Sequence, residues 1–270
     1  MLNTKLITES NEAYHSRKSV SASMIKTLRK SPRVYQAEIV DRRIERKESA
    51  AMRLGTAVHS RILEPELFYN DYAICPSDIG DRRTKAYKAW AATCTFKEVL
   101  TADEDEKINA IANAVTSHPI ASRIVGRPDY VEKSFEYDDA ETGARCRVRF
   151  DGVKGGVVFD IKTISECTPK QIERDAADYG YHIQAAHYLA GLEAIAPDTP
   201  WVFMFIFVET SEPFRCRVFQ PDESWLNEGR ALRSFYLRDL QRRMETGDWS
   251  EVNESNVNVL YLPSYYKSEV

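Results

Sequence analysis

Val157-Val158-Phe159-Asp160-Ile161-Lys162-Thr163 decides the fold, because in this stretch an apolar strand ends on a carboxylate and presents a lysine two residues later. Residues two apart in a strand point to the same side. We therefore expect Asp160 and Lys162 to face one cleft, while Phe159 and Ile161 face the opposite, buried side. An Asp-x-Lys pair alone also arises by chance at a surface turn, so the apolar strand before it is the stronger indication.

A second strand ends nine residues earlier, at Arg149-Phe150-Asp151-Gly152. Two carboxylates and an ammonium group at neighbouring strand ends are the groups that metal-dependent phosphodiester hydrolysis requires. The carboxylates hold a divalent ion, and the lysine lies beside the attacking water or the charged phosphate. Asp151, Asp160 and Lys162 therefore form the first candidate site.

The composition is that of a folded globular protein. Hydrophobic residues make up 43% and charged residues 29% of 270 residues, which suits one large domain or one domain with an added helical part. The net charge of −4 argues against a basic protein that coats DNA. It does not exclude a nuclease, whose carboxylates gather at the metal site while basic residues cluster elsewhere.

The five cysteines are far apart and contain no C-x-x-C pair, which indicates reduced thiols and argues against a disulfide framework, a zinc knuckle or an iron–sulfur site. The longest apolar run, at 201–208, is too short to span a membrane and suits a buried strand. The N-terminus has no signal-peptide pattern. We therefore expect a soluble cytoplasmic protein without a membrane partner.

Local patterns predict an α/β protein. The chain to about residue 125 is expected to be mostly helical, with one helix capped by Ser21 or Ser23, a second over 50–63 and a third capped by Thr101. Alternation and apolar periodicity then predict strands 130–137, 144–151, 157–163, 201–209 and 214–220, and helices 168–179, 181–195 and 222–246. This order indicates a single domain over 1–270: a helical N-terminal part, 1–125, and an α/β core, 126–270, with a mixed central sheet flanked by helices.

Two helices carry further candidates for functional residues. His59 lies in Leu54-Gly55-Thr56-Ala57-Val58-His59 on the second helix, where a lone histidine is either a ligand or a satisfied core residue. Gly55 costs roughly 1 kcal/mol in a helix interior, so we expect close approach of another backbone there. Tyr181, Gln184 and Tyr188 share one helix face and can bond to a phosphate or a catalytic carboxylate, unless they are the polar edge of an amphipathic helix.

The N-terminal stretch mixes hydroxyl groups and cations in a way that suits phosphate contacts. Arg17, Ser21, Ser23 and Lys26 are the candidates for such contacts, although each basic cluster could equally be a solvated helix face. The chain contains no G-x-S-x-G elbow, Walker A loop or G-x-G-x-x-G stretch, so other nucleophilic or nucleotide-binding chemistry finds little support.

In this order, the pieces resemble the PDDEXK nuclease superfamily and, more narrowly, RecE-type exonucleases (exodeoxyribonuclease VIII) of the phage and prophage branch. The resemblance runs through most of the chain. It rests on Ser19-Val20-Ser21-Ala22-Ser23-Met24-Ile25-Lys26, Leu54-Gly55-Thr56-Ala57-Val58-His59, Leu63-Glu64-Pro65, Arg149-Phe150-Asp151, Asp160-Ile161-Lys162-Thr163, Tyr181-His182-Ile183-Gln184-Ala185-Ala186-His187-Tyr188, Trp249 and Leu262-Pro263.

The resemblance implies a role for each matching residue. His59, Asp151, Asp160 and the backbone carbonyl of Ile161 would be metal ligands, and Lys162 would orient or activate the attacking water. Gln184 and Tyr188 match the family's Q-x-x-x-Y helix, which supports the active centre and DNA phosphates. Glu132 is a possible additional ligand, since some relatives use an upstream glutamate. Aspartate replaces the usual glutamate of E-x-K, as in the RecE branch.

The resemblance also implies an activity. Two Mg²⁺ ions, for which Mn²⁺ can substitute, would support 5′→3′ digestion of linear double-stranded DNA from its ends to mononucleotides. The product would carry 3′ single-stranded tails, to be received by a RecT-like single-strand annealing protein in recombination. A homo-oligomeric ring would account for processivity. The alternatives are a RecB- or Cas4-like nuclease that acts on single-stranded ends, and a non-catalytic DNA-binding protein on a nuclease fold.

Overall fold

The computed structural model describes residues 6–45, 47, 49–79, 82–95, 97–252, 254 and 256–261. Leu262-Pro263, which contribute to the family resemblance, lie outside the described residues. The strands are β1 (Tyr72–Ile74), β2 (Glu98–Leu100), β3 (Tyr130–Asp138), β4 (Arg145–Lys154), β5 (Val157–Ile164), β6 (Val202–Glu209) and β7 (Cys216–Phe219). The helices are α1 (Asn11–Ser16), α2 (Ala22–Lys30), α3 (Pro32–Tyr35), α4 (Ala50–Leu63), α5 (Phe68–Asp71), α6 (Lys85–Ala91), α7 (Ala102–Thr116), α8 (Ala121–Val125), α9 (Pro169–Asp178), α10 (Tyr181–Ile195) and α11 (Glu223–Thr246).

The central sheet is mixed, as predicted, and its strands lie in the order β3-β4-β5-β6-β7. Only the pair β5–β6 is parallel, because the helices α9 and α10 provide the crossover between these two strands. The other neighbours are antiparallel. The chain thus has the predicted α/β class, with a five-stranded mixed sheet flanked by helices.

The alternation of apolar residues along the strands separates two cores on opposite faces of the sheet. Val158, Phe203 and Phe205 belong to the core that packs under α2, α10 and α11. Phe159 and Ile161 belong to the other core, under α4, α7 and α8. Both side chains are at most 1% exposed, which confirms that they face away from Asp160 and Lys162.

The capping residues in the sequence predicted most helix ends correctly. Ser21 caps α2 through its hydroxyl, and α4 covers the predicted 50–63. Thr101 and Glu104 form a capping box at α7. The short parallel pair β1–β2 in the N-terminal part was not predicted, because three-residue strands show too few alternations to be recognised. Trp249 is buried and stacks on Tyr35, with ring centroids 5.7 Å apart.

No helix in the described part of the chain combines the length and apolarity that a membrane crossing requires.

Candidate metal centre in a cleft of the sheet

The strands β4 and β5 separate at the candidate site. Their ladder is only three pairs long and ends at Gly152–Phe159. The next opposite residues are Asp151 and Asp160, which no longer pair through the backbone. Instead, the backbone N–H of Ile161 donates to Asp151 Oδ2 over 2.7 Å. A carboxylate thus occupies the place of a strand carbonyl, and the two aspartates border a gap between the strands.

Gly152 is required where the ladder ends. A Cβ atom at this position would collide with the ring of Phe159, the residue opposite it. The glycine therefore lets the two strands pair one residue before they separate, which places both aspartates at the start of the gap.

Glu132 extends this row of acids to a third strand. The register of β3 and β4 places it opposite Asp151, but this pair is missing from an otherwise regular ladder. Glu132 has a φ angle of 45°, which is uncommon for a residue with a side chain and is characteristic of functional sites. Its neighbour Val131 is partly buried and packs against the core under α4 and α7. Sequence alternation alone could not reveal this local turn of the strand.

His59 closes the site from α4. Its Nε2 lies 2.8 Å from the carbonyl oxygen of Ile161, so Nε2 is the donor in this contact and Nδ1 is the ring nitrogen that remains for a ligand. Nδ1 faces Asp151 Oδ2 at 3.4 Å and Glu132 Oε1 at 4.0 Å. Each of the three residues offers one atom within 4.8 Å of the others. One imidazole nitrogen and two carboxylate oxygens that converge in this way suit a divalent cation with oxygen and imidazole ligands.

Two predicted ligands contact each other in this arrangement. The carbonyl of Ile161 accepts the hydrogen bond from His59 Nε2, so the imidazole can offer only Nδ1 to a cation unless the ring rotates. The role of this carbonyl as a ligand stays a prediction.

Asp160 is the most buried carboxylate of the site. Its Oδ1 accepts a hydrogen bond of 2.5 Å from Gln184 Nε2 on α10. Its Oδ2 is buried without a hydrogen bond of normal geometry, although the ammonium group of Lys162 lies 2.5 Å away. This carboxylate oxygen therefore has coordination capacity left for a cation at the gap.

The electrostatics follow from the crowding of these acids. Burial, together with the charge of Asp160, raises the pKa of Asp151 to about 6. Burial of the Glu132 carboxyl, together with the negative charge of Asp151, raises the pKa of Glu132 to about 8. Burial would lower the pKa of Lys162, but the Asp160 and Asp151 carboxylates raise it above its usual value. Strongly raised carboxyl pKa values beside a buried ammonium group in one cleft are typical of functional sites.

The predicted helix face on α10 lines the same cleft. Tyr181, Gln184 and Tyr188 are all at its surface. The Gln184 amide connects two elements, since it donates to Asp160 and accepts from Lys26 Nζ on α2 over 3.3 Å. Burial raises the pKa of Tyr188 well above its usual value, so its phenol stays protonated.

The cleft has a volume of about 1420 Å³ and is lined by residues of the N-terminal part as well as of the sheet. Ser21, Ser23 and Lys26 border it, although the Ser21 hydroxyl also caps α2 and bonds to Ser23. Arg17 does not line the cleft, and its guanidinium pairs with Glu9, which does, at 2.8 Å and with Glu136 at 3.1 Å.

Gly55 lines the cleft beside His59, but within the described part of the chain no other backbone makes the expected close approach to it. A Cβ atom there would meet only the Thr163 hydroxyl at 3.5 Å, an ordinary contact. The five cysteines, all described, are free thiols, and the metal-binding cluster found among the described residues contains none of them.

Comparisons with known proteins agree with this fold. Residues 21–255 match the family described as a PDDEXK-like domain of unknown function, DUF3799. A crystal structure from Eubacterium rectale, provisionally named an exonuclease, superposes with a TM-score of 0.67 at 16% identity over 95% of this chain and 96% of that one. LHK-Exo in complex with dAMP matches 72% of this chain and 92% of its own at 14% identity, but its TM-score of 0.27 is too low to indicate a common fold. No curated protein sequence matches the chain.

Proposed function

The chain belongs to the PDDEXK-like family DUF3799, and from this membership and the geometry of the cleft we propose that it is a metal-dependent nuclease acting on DNA. The observation that carries the proposal is the convergence of His59, Glu132 and Asp151 beside the buried pair of Asp160 and Lys162. Acceptors gathered around a cation site, with a fixed ammonium group next to them, are suited to phosphodiester hydrolysis.

His59, Glu132, Asp151 and Asp160 would hold the divalent ions, for which Mg²⁺ is the first candidate and Mn²⁺ the second. Bound in this way, the ions would supply positive charge to the phosphate and acidify a coordinated water. In the hydrolysis, a water oxygen bonds to phosphorus, the ester bond to the leaving sugar oxygen breaks, the water loses a proton and the leaving oxygen gains one.

Lys162 acts as a cation in this scheme. The neighbouring carboxylates raise the pKa of Lys162, so its ammonium group can orient the attacking water or stabilise a phosphate oxygen. Gln184 holds Asp160 in place through its amide, and Tyr188 offers a protonated hydroxyl to a phosphate.

We further propose a 5′→3′ exonuclease that digests linear double-stranded DNA to mononucleotides and leaves 3′ tails for a RecT-like annealing protein in the cytoplasm. This finer assignment is supported by the motifs shared with RecE-type exonucleases, as is a homo-oligomeric ring. The cleft, bordered by Lys26, Arg29 and Lys30 on one side, has room for a strand end and cations for its phosphates.

The test is digestion of linear duplex labelled at the 5′ or the 3′ end, with Mg²⁺ or Mn²⁺, beside a closed circle and a single strand. Loss of the 5′ label as mononucleotide from the linear duplex alone is expected. Cutting of the circle would indicate an endonuclease, and preference for the single strand would indicate the RecB- or Cas4-like alternative.

The variant Asp160→Ala separates catalysis from binding. It should abolish metal-dependent loss of linear duplex while the protein stays folded. Unchanged digestion by this variant would overturn the site assignment, and a wild-type protein that binds DNA without cutting it would support the non-catalytic alternative.

A further inference from the structure

An exposed tyrosine at the edge of the cleft has no role in the hydrolysis described above. Tyr179 follows the last residue of α9, and its side chain is 61% exposed although it lines the cleft. Its ring stacks on Tyr181, with centroids 5.9 Å apart and planes inclined by 29°. Tyr181 in turn stacks on the buried Phe205 at 5.6 Å and 29°. Three rings thus form a column that leads from the core to the surface of the cleft.

The column passes directly by the catalytic groups. The ammonium group of Lys162 lies 5.2 Å from the centroid of the Tyr181 ring, and that of Lys26 lies 5.5 Å from it. Tyr181 lies between Tyr179 and the lysine that contacts Asp160. A group stacked on the outer face of Tyr179 would lie two rings away from Lys162, along the same cleft.

The turn that carries Tyr179 is held in one conformation. Gly180 has a φ angle of 64°, in the region that favours glycine, and it begins the turn into α10. An added Cβ atom at Gly180 would lie 3.1 Å from Arg29 Nη1 and 3.3 Å from Lys26 Cδ, so the side chains of α2 pack against this turn. Arg29 also donates to the carbonyl of Ala177 over 3.4 Å. A platform fixed in this way loses little conformational entropy when a ligand stacks on it.

We propose that Tyr179 binds a nucleobase of the DNA strand that enters the cleft, by stacking on its exposed ring face. This inference rests on the proposed nuclease function and adds a base-binding subsite to it. Stacking on an aromatic ring is tolerant of sequence, because every base has a π face. Inside a duplex both faces of a base are covered by its neighbours, so the base that stacks here is a terminal or unpaired one, and the strand attached to it would continue along the cleft toward Lys26 and Lys162.

The experiment measures binding without hydrolysis. Duplexes with 2-aminopurine at each of the last three positions of either strand are titrated in EDTA with wild type, Tyr179→Phe, Tyr179→Ala and Tyr69→Ala. The last variant is the control, since Tyr69 is also exposed and packs edge-to-face against a neighbouring ring but does not line the cleft. We expect the fluorescence of one position to change on binding to wild type and Tyr179→Phe, and this change to vanish with Tyr179→Ala, whose Kd rises about tenfold.

An abasic site at the same position completes a double-mutant cycle. It should weaken binding to wild type about tenfold and have no further effect on Tyr179→Ala. Equal penalties in both proteins, or a Tyr179→Ala variant that binds like Tyr69→Ala, would overturn the subsite. If wild type shows the stacking signal but cuts no DNA when metal is added, the nuclease proposal fails while the subsite stands. If it cuts DNA and Tyr179→Ala behaves as the control, the subsite alone fails.

Discussion

Gln184 Nε2 lies 2.5 Å from Oδ1 of Asp160, so an amide on α10 holds the carboxylate that ends the apolar part of β5. The amide orientation is determined by its surroundings, because the Gln184 carbonyl faces the Lys26 ammonium group. Replacement by glutamate would set two carboxylates against each other in a buried place.

Gln184→Glu should therefore lower kcat for DNA digestion by about tenfold or more, since removal of a hydrogen bond to a charged group costs about 1.5–3 kcal/mol. Gln241→Ala is the matched control, because that side chain donates to the Thr142 carbonyl away from the cleft. Steady-state rates and circular dichroism of both variants decide the matter. Equal rates in the two variants would contradict a positioning role for Gln184.

Lys162→Met should abolish DNA digestion and lower the free energy of unfolding. It leaves the Asp160 carboxylate, buried at 1% exposure, without its cation, and loss of one partner of a buried pair costs about 3–5 kcal/mol. The free energy of unfolding from urea titrations in EDTA measures this loss. A divalent metal added to the variant should restore part of the stability, and a variant as stable as wild type in EDTA would show that the pair is not structurally important.

If the cluster of His59, Glu132 and Asp151 binds the metal, substitutions in it should weaken metal binding. His59→Ala and Glu132→Gln should each weaken Mn²⁺ binding about tenfold or more, because each removes one of three converging ligand atoms. His118→Ala serves as the control, since His118 is part of the surface turn before α8. Calorimetric titration with Mn²⁺ alone gives the result, and unchanged affinity in both cluster variants would exclude this cluster as the metal site.

The buried imidazole of His187 is expected to make the folding stability of the protein decrease in acid. Complete burial, with Arg233 nearby, lowers its pKa to about 3, against about 6.5 in the unfolded chain. The unfolded state then binds more protons between these values, so stability is retained above pH 6.5 and falls toward pH 3, by up to about 1.4 kcal/mol per pH unit. Asp139, Arg147 and Arg233 are the charged groups around it.

His187→Gln removes this titration. The new amide can donate to the Arg147 carbonyl and accept from Arg233, as the imidazole does. The stability advantage of wild type over the variant should therefore shrink as the pH is lowered from 7 to 5. Urea unfolding at three pH values measures it, and a difference that is independent of pH would contradict the buried neutral imidazole.

Two helical glycines should respond in opposite directions to alanine. At Gly229 an added Cβ would overlap the backbone carbonyl of His182, so Gly229→Ala must push α11 away from α10 and cost about 1–3 kcal/mol. At Gly55 the same atom meets only an ordinary contact, so Gly55→Ala should gain up to about 1 kcal/mol from helix propensity. Thermal unfolding of both variants tests the pair; a stable Gly229→Ala would contradict the close helix contact.

Short-range patterns were sufficient for the secondary structure of the core and for part of the site. The two-residue period of Asp160 and Lys162, the helix face of Tyr181, Gln184 and Tyr188, and the caps of the helices all depend on neighbours a few positions away. Such features are encoded locally, and the structure places the three α10 side chains along the cleft.

The register of the strands determined which acidic residues lie together in the site. Strand register cannot be predicted from the periodicity of a single segment. Glu132, Asp151 and Asp160 lie side by side because β3, β4 and β5 pair with particular offsets and because Glu132 leaves the regular strand conformation. Arg17 pairs with Glu9 and Glu136, and Tyr179 meets Tyr181 through a turn at Gly180. These contacts either join residues that are distant in sequence or depend on the backbone angle of a single residue. Packing and strand register therefore determine them, and the local sequence pattern does not.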